Sequence, residues 1–256
     1  EGSAGFMADV CGRLTNAPGV CFGTFGPGAT NLATGVGSAQ YDRSPLIALT
    51  DEMPARLRNR VAQMSTDHQL LMKPITKWTT RLAPDTITET LEHAYEVAMA
   101  PRPGAVHIGM PIDITAKPTD ARHFSIPPKP VAQVATAASI TAAQTAIANA
   151  QKPVLAAGLG AAHANAGASL QRFAEEQGLP IVLTPMAKGL VSESHPNYAG
   201  VVFHALSDRV AETHQQADLV IAVGYDPVEF NLESWMPKVD IVNVDVVPLD
   251  ADPQTY

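Results

Sequence analysis

The sequence predicts an α/β protein built as two doubly wound, parallel-sheet domains. Three observations predict it. Short apolar strands alternate with helical segments along most of the chain. Residues 45–50 (Pro-Leu-Ile-Ala-Leu-Thr) are apolar without alternation, as in a strand buried on both faces. Residues 111–137 then lose apolar periodicity and collect Pro111, Pro118, Pro127, Pro128 and Pro130, the composition of a connection between domains.

Each element has its local reason. Residues 1–15 read as a helix with Phe6, Val10 and Leu14 on one face at i, i+4 and i+8. Residues 19–25 form an apolar strand, and 29–41 a helix whose small residues Ala33, Gly35, Gly37 and Ala39 permit close packing. The strand at 45–50 follows. Residues 51–69 are polar, Arg-rich and aperiodic, a loop with a short helix. A strand at 77–82, a helix at 86–99 (Ile87, Leu91, Tyr95 and Val97 apolar) and a strand at 105–110 complete a β-α-β-α-β order. Such alternation implies parallel pairing with right-handed crossovers. The second half repeats the architecture without repeating the sequence: helix 139–150, strand 153–157, helix 165–177, strand 180–183, helix 207–216, strand 218–223 and strand 240–245. The domains are accordingly placed at 1–117 and 138–256, with 118–137 between them.

Composition narrows the function classes. A chain of 256 residues has room for two cores, and 46% hydrophobic with 16% charged residues suits well-buried sheets. A net charge of −8 argues against nucleic acid and against an anionic membrane surface as partners. The longest apolar runs are broken by Gly, Pro or charge, so no membrane span is expected. Cys11 and Cys21 are too few for a disulfide framework or a zinc site and are expected as two buried thiols in a reducing cytoplasm. His195, His204 and His214 lack metal-ligand spacing, so no metal site is expected, and no Ser-His-Asp or Cys-His arrangement stands out.

The chemistry concentrates near the start. Thr24-Phe25-Gly26-Pro27-Gly28-Ala29-Thr30-Asn31 lies where a strand runs into a helix. It is not a Walker loop, since no Lys-Ser/Thr pair ends it. It is not a dinucleotide fingerprint, since Asn31 stands at the sixth position. A rigid Pro between two Gly residues suits a backbone that must approach a flat ring. Upstream, Glu1 opens a Gly/Ala-rich helix. Taken alone it is a solvated acid at a helix start, favoured by the dipole. Set among Phe6, Met7 and apolar strands, it would be a carboxyl able to hold and share a proton near neutrality.

The block from Glu1 to Asn31 resembles the N-terminal half of the thiamine-diphosphate enzymes of the acetolactate synthase kind. The resemblance implies a pyrimidine-binding domain over 1–117 and a Rossmann-like middle domain over 138–256. It implies that Glu1 is catalytic, bonding the pyrimidine ring nitrogen of the cofactor, and that Thr24, Gly26, Pro27 and Asn31 hold the pyrimidine. Residues 63–69 (Gln-Met-Ser-Thr-Asp-His-Gln), before Pro74-Ile75-Thr76-Lys77, resemble a family segment that brings a Gln near the reacting carbon. Counted back from Pro74, that position falls on Met64, with Gln63 one residue off. Gln63, His68 and Gln69 therefore all stand as cofactor neighbours, Gln63 first. Arg102-Pro103-Gly104, and Pro111-Ile112-Asp113 after the strand, match the way the family closes its first domain.

The same resemblance leaves an FAD open in the second domain. Gly158-Leu159-Gly160 follows a strand there, with His163 where a third Gly would stand, and Thr184-Pro185-Met186-Ala187-Lys188-Gly189 lies where flavin-binding relatives touch FAD. Gly224-Tyr225-Asp226-Pro227-Val228-Glu229-Phe230 with Trp235 resembles the flavin-free, catabolic members and tells against it. The family's Gly-Asp-Gly diphosphate signature, which binds through Mg²⁺ in a third, C-terminal domain, does not occur, and no strand and helix precede Glu1. The expectation is thus a fragment of a longer carboligase that acts on small 2-oxo acids. It would be inactive alone and at most a weak cofactor binder, from a cytoplasmic homodimer or homotetramer whose site lies at a subunit interface. Its dimer surface should be apolar and exposed. A 2-oxo acid decarboxylase, another carboligase, or a non-catalytic nucleotide-binding protein stand as alternatives.

Overall fold

The structure is a computed structural model and describes residues 1–58, 60–118, 123–127, 134–202, 208–226, 228–229 and 239–247. The chain divides into two compact units, Glu1–Val131 and Ala132–Tyr256. Each is an α/β unit with an all-parallel sheet, the class expected from the alternation.

The first unit runs α1 (Gly2–Thr15), β1 (Gly19–Gly23), α2 (Pro27–Tyr41), β2 (Leu46–Glu52), α3 (His68–Met72), β3 (Trp78–Arg81), α4 (Ile87–Met99), β4 (Ala105–Pro111) and α5 (Ile112–Thr115). Its strand order is β1-β2-β4-β3, so β4 sits between β2 and β3. Leu46 pairs with Ala105 and Trp78 with Val106. On one face, α1 and α2 bury Ala8, Ala29, Leu32, Val36 and Ala39 with Cys21, Leu46 and Ala48 of the sheet. On the other, α4 packs Ala94 and Ala98 against Ile47, Val106 and Ile108. Cover on both faces explains the unbroken apolar pattern of β2.

The face of α1 differs from expectation. Phe6, Val10 and Leu14 are 44%, 50% and 81% exposed, and the helix packs through Gly5, Ala8, Asp9 and Gly12. The reason is backbone proximity. A Cβ on Gly5 would lie 3.0 Å from the Gly35 Cα of α2, which leaves no room for larger side chains along that seam. Asp9 is buried there with a bidentate partner on its own helix: Arg13 Nε donates to Oδ1 at 2.9 Å and Nη2 to Oδ2 at 2.8 Å. Cys11 also departs from expectation, being exposed on the outer face, whereas burial in β1 pushes the Cys21 thiol up to about 12.

The second unit runs α6 (Ala137–Asn149), β5 (Pro153–Ala157), α7 (Leu159–His163), α8 (Gly167–Gln177), β6 (Ile181–Leu183), β7 (Tyr198–Val201), α9 (Asp208–Gln215), β8 (Leu219–Val223) and β9 (Asp240–Val244). The order is β7-β6-β5-β8-β9. Leu155, Ile181, Leu183, Leu219 and Ile221 fill one side of the sheet, and Val154, Val182 and Val220 the other. The expected helix at 165–177 is preceded by the separate short α7. Strand β7 is an element the sequence pattern does not announce: Tyr-Ala-Gly-Val is short, half-buried and carries Gly200 at φ 121° beside a register shift.

Candidate functional site

The site grows from the turn between β1 and α2. Gly26 precedes the first turn of α2 at φ 63°, ψ −113°, and a Cβ there would lie 2.6 Å from the Met64 carbonyl oxygen. Only glycine fits both the backbone and the space. Pro27 follows as the first helical residue, where its missing N–H costs nothing. Gly28 forms the floor: a Cβ there would meet Thr24 Cγ2 at 2.7 Å and Glu1 Oε1 at 3.4 Å. The Thr24 methyl therefore packs on the Gly28 backbone, with the Glu1 carboxylate beside it.

Glu1 is the residue before α1, and its carbonyl accepts the first helical bond, from Gly5 N–H at 3.0 Å. Its side chain makes no capping bond. The carboxylate points across the gap between the two helices, where Asn31 Nδ2 donates to Oε2 at 3.5 Å. Glu1, Pro27 and Asn31 are exposed and Thr24 is half-buried. Phe6 and Met7 are themselves exposed, so they do not supply the apolar surroundings expected for Glu1.

The segment at 63–69 reaches this turn from the other side. Gln63 is exposed, and Met64 takes φ 56° with its backbone against Gly26. Asp67 caps α3, accepting from Gln69 N–H at 3.0 Å and Leu70 N–H at 3.2 Å. His68 and Gln69, expected as cofactor neighbours, point inward: His68 lies beneath the turn and Gln69 bonds residues of β2 and β3. His68 is 1% exposed and accepts from Gly26 N–H at 3.0 Å through Nε2. From there a polar chain crosses the sheet. His68 Nδ1 meets Thr50 Oγ1 at 2.9 Å, Thr50 Oγ1 meets His107 Nε2 at 2.8 Å, and His107 Nδ1 meets Thr79 Oγ1 at 2.7 Å. Thr79 donates to Gln69 Oε1 at 2.8 Å, and Gln69 Nε2 donates to Glu52 Oε1 at 2.9 Å. Arg81 holds the other Glu52 oxygen.

Burial dominates the electrostatics of this chain. It lowers His68 below the usual histidine range, helped by Arg81 and opposed by Glu52, Asp67 and Asp51. It pushes His107 down to about 3, with His68 and Arg81 adding to the effect. Sequence reasoning missed Thr50, Thr79, His107, Glu52 and Arg81. The available signal was a histidine inside the apolar run of β4, since a buried polar residue needs a partner.

In the second unit the turn after β5 is filled from within. The Glu229 carboxylate accepts from Leu159 N–H at 3.0 Å and Asp226 N–H at 3.0 Å, and Thr184 Oγ1 donates to it. A Cβ on Gly158 would collide with it. Burial raises the carboxyl above the usual range, while the Thr184, Leu159 and Asp226 bonds oppose the shift. His195 pairs with Glu175 at 3.0 Å and His214 is buried; His204, Pro227, Phe230 and Trp235 lie outside the described residues. Among the described residues no three His, Cys, Asp or Glu side chains stand together as a metal site, and no helix is long and apolar enough to cross a membrane.

The glycines give their space to the chain itself, Gly26 to Met64 and Gly28 to Thr24. An aminopyrimidine would need at its ring nitrogen a carboxyl not engaged in capping, and Glu1 is such a carboxyl. Comparison with known proteins agrees with this class. Residues 1–72 match the family described as "Thiamine pyrophosphate enzyme, N-terminal TPP binding domain", and residues 140–255 match "Thiamine pyrophosphate enzyme, central domain". The chain belongs to the thiamine pyrophosphate enzyme family and comprises these two domains.

Acetolactate synthases are among the proteins it resembles. The chain is 34% identical to the probable acetolactate synthase large subunit of Methanocaldococcus jannaschii, over 98% of the chain and 44% of that protein. It is 31% identical to an acetolactate synthase of Bacillus subtilis, over 98% of the chain and 45% of that protein. It is 29% identical to the catabolic acetolactate synthase of Raoultella terrigena, over 97% and 45%. The chain thus spans less than half the length of these relatives.

Proposed function

We propose that this chain carries the pyrimidine half of the active site of a thiamine-diphosphate carboligase, an acetolactate synthase that decarboxylates pyruvate and joins the two-carbon unit to a second 2-oxo acid. The observation that carries the reading is the Glu1 carboxylate, which engages no cap, overlies the bare Gly28 backbone and meets Asn31 at 3.5 Å. Thiamine diphosphate supplies the carbon nucleophile and the electron sink for the decarboxylation. The chain's residues do the rest. Glu1 holds a proton at the pyrimidine ring nitrogen and returns it. Asn31 steadies the Glu1 carboxylate. Thr24, Gly26 and Pro27 would hold the pyrimidine ring, and Gln63 would stand as a cofactor neighbour.

On this reading, 1–117 is the pyrimidine-binding domain, 118–137 the connection and 138–256 the middle domain. The diphosphate and Mg²⁺ are held by a domain outside these residues, across a homodimer or homotetramer interface in the cytoplasm. The exposed Phe6, Val10 and Leu14 along the helix that Glu1 opens suit that interface. No flavin is assigned to the second unit, because Glu229 already supplies the negative charge at the Gly158 turn and would repel a phosphate there. The test joins this chain to the diphosphate-binding domain of an acetolactate synthase and supplies pyruvate, thiamine diphosphate and Mg²⁺. Acetolactate that disappears in Glu1→Gln is expected. Aldehyde release without carboligation would make it a decarboxylase, and unchanged turnover in Glu1→Gln would remove Glu1 from the chemistry.

A further inference from the structure

We propose that His68 is a positioning residue for the Gly26 turn, locked in one neutral tautomer by a hydrogen-bond chain of single polarity through Thr50, His107 and Thr79. The inference rests on the proposed function for what the turn carries. Its argument is one of hydrogen counting. A backbone N–H can only donate, so the 3.0 Å contact from Gly26 requires a bare His68 Nε2. The ring proton is then on Nδ1, and it goes to Thr50 Oγ1 at 2.9 Å. The one Thr50 hydroxyl proton is left for His107 Nε2 at 2.8 Å. His107 in turn carries its proton on Nδ1 and gives it to Thr79 Oγ1 at 2.7 Å. Thr79 passes its own to Gln69 Oε1 at 2.8 Å, which orients the Gln69 amide to donate to Glu52 Oε1 at 2.9 Å and the Thr80 carbonyl at 3.0 Å.

Every donor has one acceptor: reversing the Gly26 link would set N–H against N–H, and reversing an inner link would put two donors on one threonine hydroxyl and leave its own proton without an acceptor. Thr50 and His107 are fully buried and His68 almost so, so water does not repair a broken link. The chain also closes on itself. Arg81 holds Glu52 and lies 3.4 Å from Asp67, the residue that caps the helix carrying His68. The charged and titratable groups facing His68 are Asp51 and Glu52 from β2, Arg81 from β3, His107 from β4 and Asp67 from its own helix. None of them accepts a proton from Nε2, because Gly26 N–H occupies that side. Protonation of His68 therefore releases Gly26, and with it the first turn of α2 that presents Pro27, Gly28 and Asn31.

The experiment uses the 256-residue chain for spectroscopy and, for cofactor affinity, the same chain joined to the diphosphate-binding domain of an acetolactate synthase. Nitrogen-15 NMR reads the tautomers of both rings and the Gly26 amide from about pH 8 down to the acid limit of the folded protein, since His68 lies below the usual histidine range, and calorimetry reads thiamine diphosphate binding with Mg²⁺. Both rings should carry Nδ1–H at neutral pH. The Gly26 amide should move with the His68 titration, and affinity should fall with it on acidification. His68→Gln, whose amide oxygen replaces Nε2 as acceptor, should keep affinity at neutral pH and lose the acid dependence. Thr50→Val should lower affinity by about tenfold, the effect of one lost hydrogen bond. An Nε2–H tautomer at His68, a Gly26 amide indifferent to His68, or an acid dependence retained in His68→Gln would overturn the proposal. If wild type bound no thiamine diphosphate while Gly26 still followed His68, the cofactor reading would fall and the role of His68 in the turn would stand.

Discussion

Gly5 of α1 and Gly35 of α2 meet backbone to backbone: a Cβ added to Gly35 would stand 2.7 Å from the Gly5 Cα. One helical turn earlier on the same helices stand Glu1 and Asn31, 3.5 Å apart. Two positions without side chains thus set the separation of the two residues placed in the proposed site. The seam is continuous, since a Cβ on Gly2 would touch the Asn31 carbonyl at 3.4 Å.

Gly35→Ala should therefore destabilise the first unit by about 1–3 kcal/mol through overpacking against backbone. Gly37→Ala is the matched control. Its Cβ would sit 3.7 Å from Ile75, an ordinary contact, and the gain in helix propensity should leave stability unchanged or slightly higher. Urea denaturation of both variants checks this, and equal midpoints would mean that the helix crossing is not tight.

Glu1→Gln and Asn31→Ala should separate by kinetics in the protein joined to a diphosphate-binding domain. Loss of the proton-holding carboxyl should lower kcat by at least about 100-fold. Loss of the Asn31 amide should cost less, about tenfold, because it removes one exposed hydrogen bond to Glu1. A larger effect from Asn31 than from Glu1 would reverse their assigned roles.

Stability should fall on acidification before most carboxylates titrate. His68 and His107 both have folded values below the usual 6.5, His107 at about 3. As pH drops below 6.5, the unfolded chain binds protons that the folded chain refuses. Stability is therefore full above that value and declines toward the folded ones. The slope is on the order of 1 kcal/mol per pH unit for each histidine. Thermal melts between about pH 7.5 and 5 measure it, and His107→Asn should flatten the curve while lowering stability at its upper end. A wild-type midpoint that stays level over this range would mean that the rings accept protons in place.

In the second unit, Glu229→Ala should cost about 1–3 kcal/mol. It strips the acceptor from the Leu159 and Asp226 amides and from the Thr184 hydroxyl. Hydrogen exchange should show the Leu159 and Asp226 amides losing protection. Protection that persists at both would mean other acceptors serve them.

Much of the fold was legible because its signals are local. The unbroken apolar run of β2, the Pro27 that starts α2 and the Gly-rich turn before it all declare themselves within a few residues. The helix at α1 was also legible, but not its buried face. Phe6, Val10 and Leu14 have the right period, yet Gly5, Ala8 and Gly12 make the contacts, because a face of small residues gains little from apolar area and much from close approach. Glu1, Thr24, Gly26, Pro27 and Asn31 are singled out through the family resemblance of one consecutive block, the first helix, the strand and the turn after it.

What the sequence determined by itself was the alternation of strands and helices and the residue types at the turn, since both follow from periodicity and from the φ that glycine and proline allow. The tertiary structure decided the partners. His68 and His107 are far apart in the chain, and neither announces the other. They share Thr50 only because β4 inserts between β2 and β3, which brings the strands carrying Thr50, His107 and Thr79 side by side. Strand order is a long-range choice made by helix packing on the two faces of the sheet, so a hydrogen-bond chain that crosses strands exists only once that order is set.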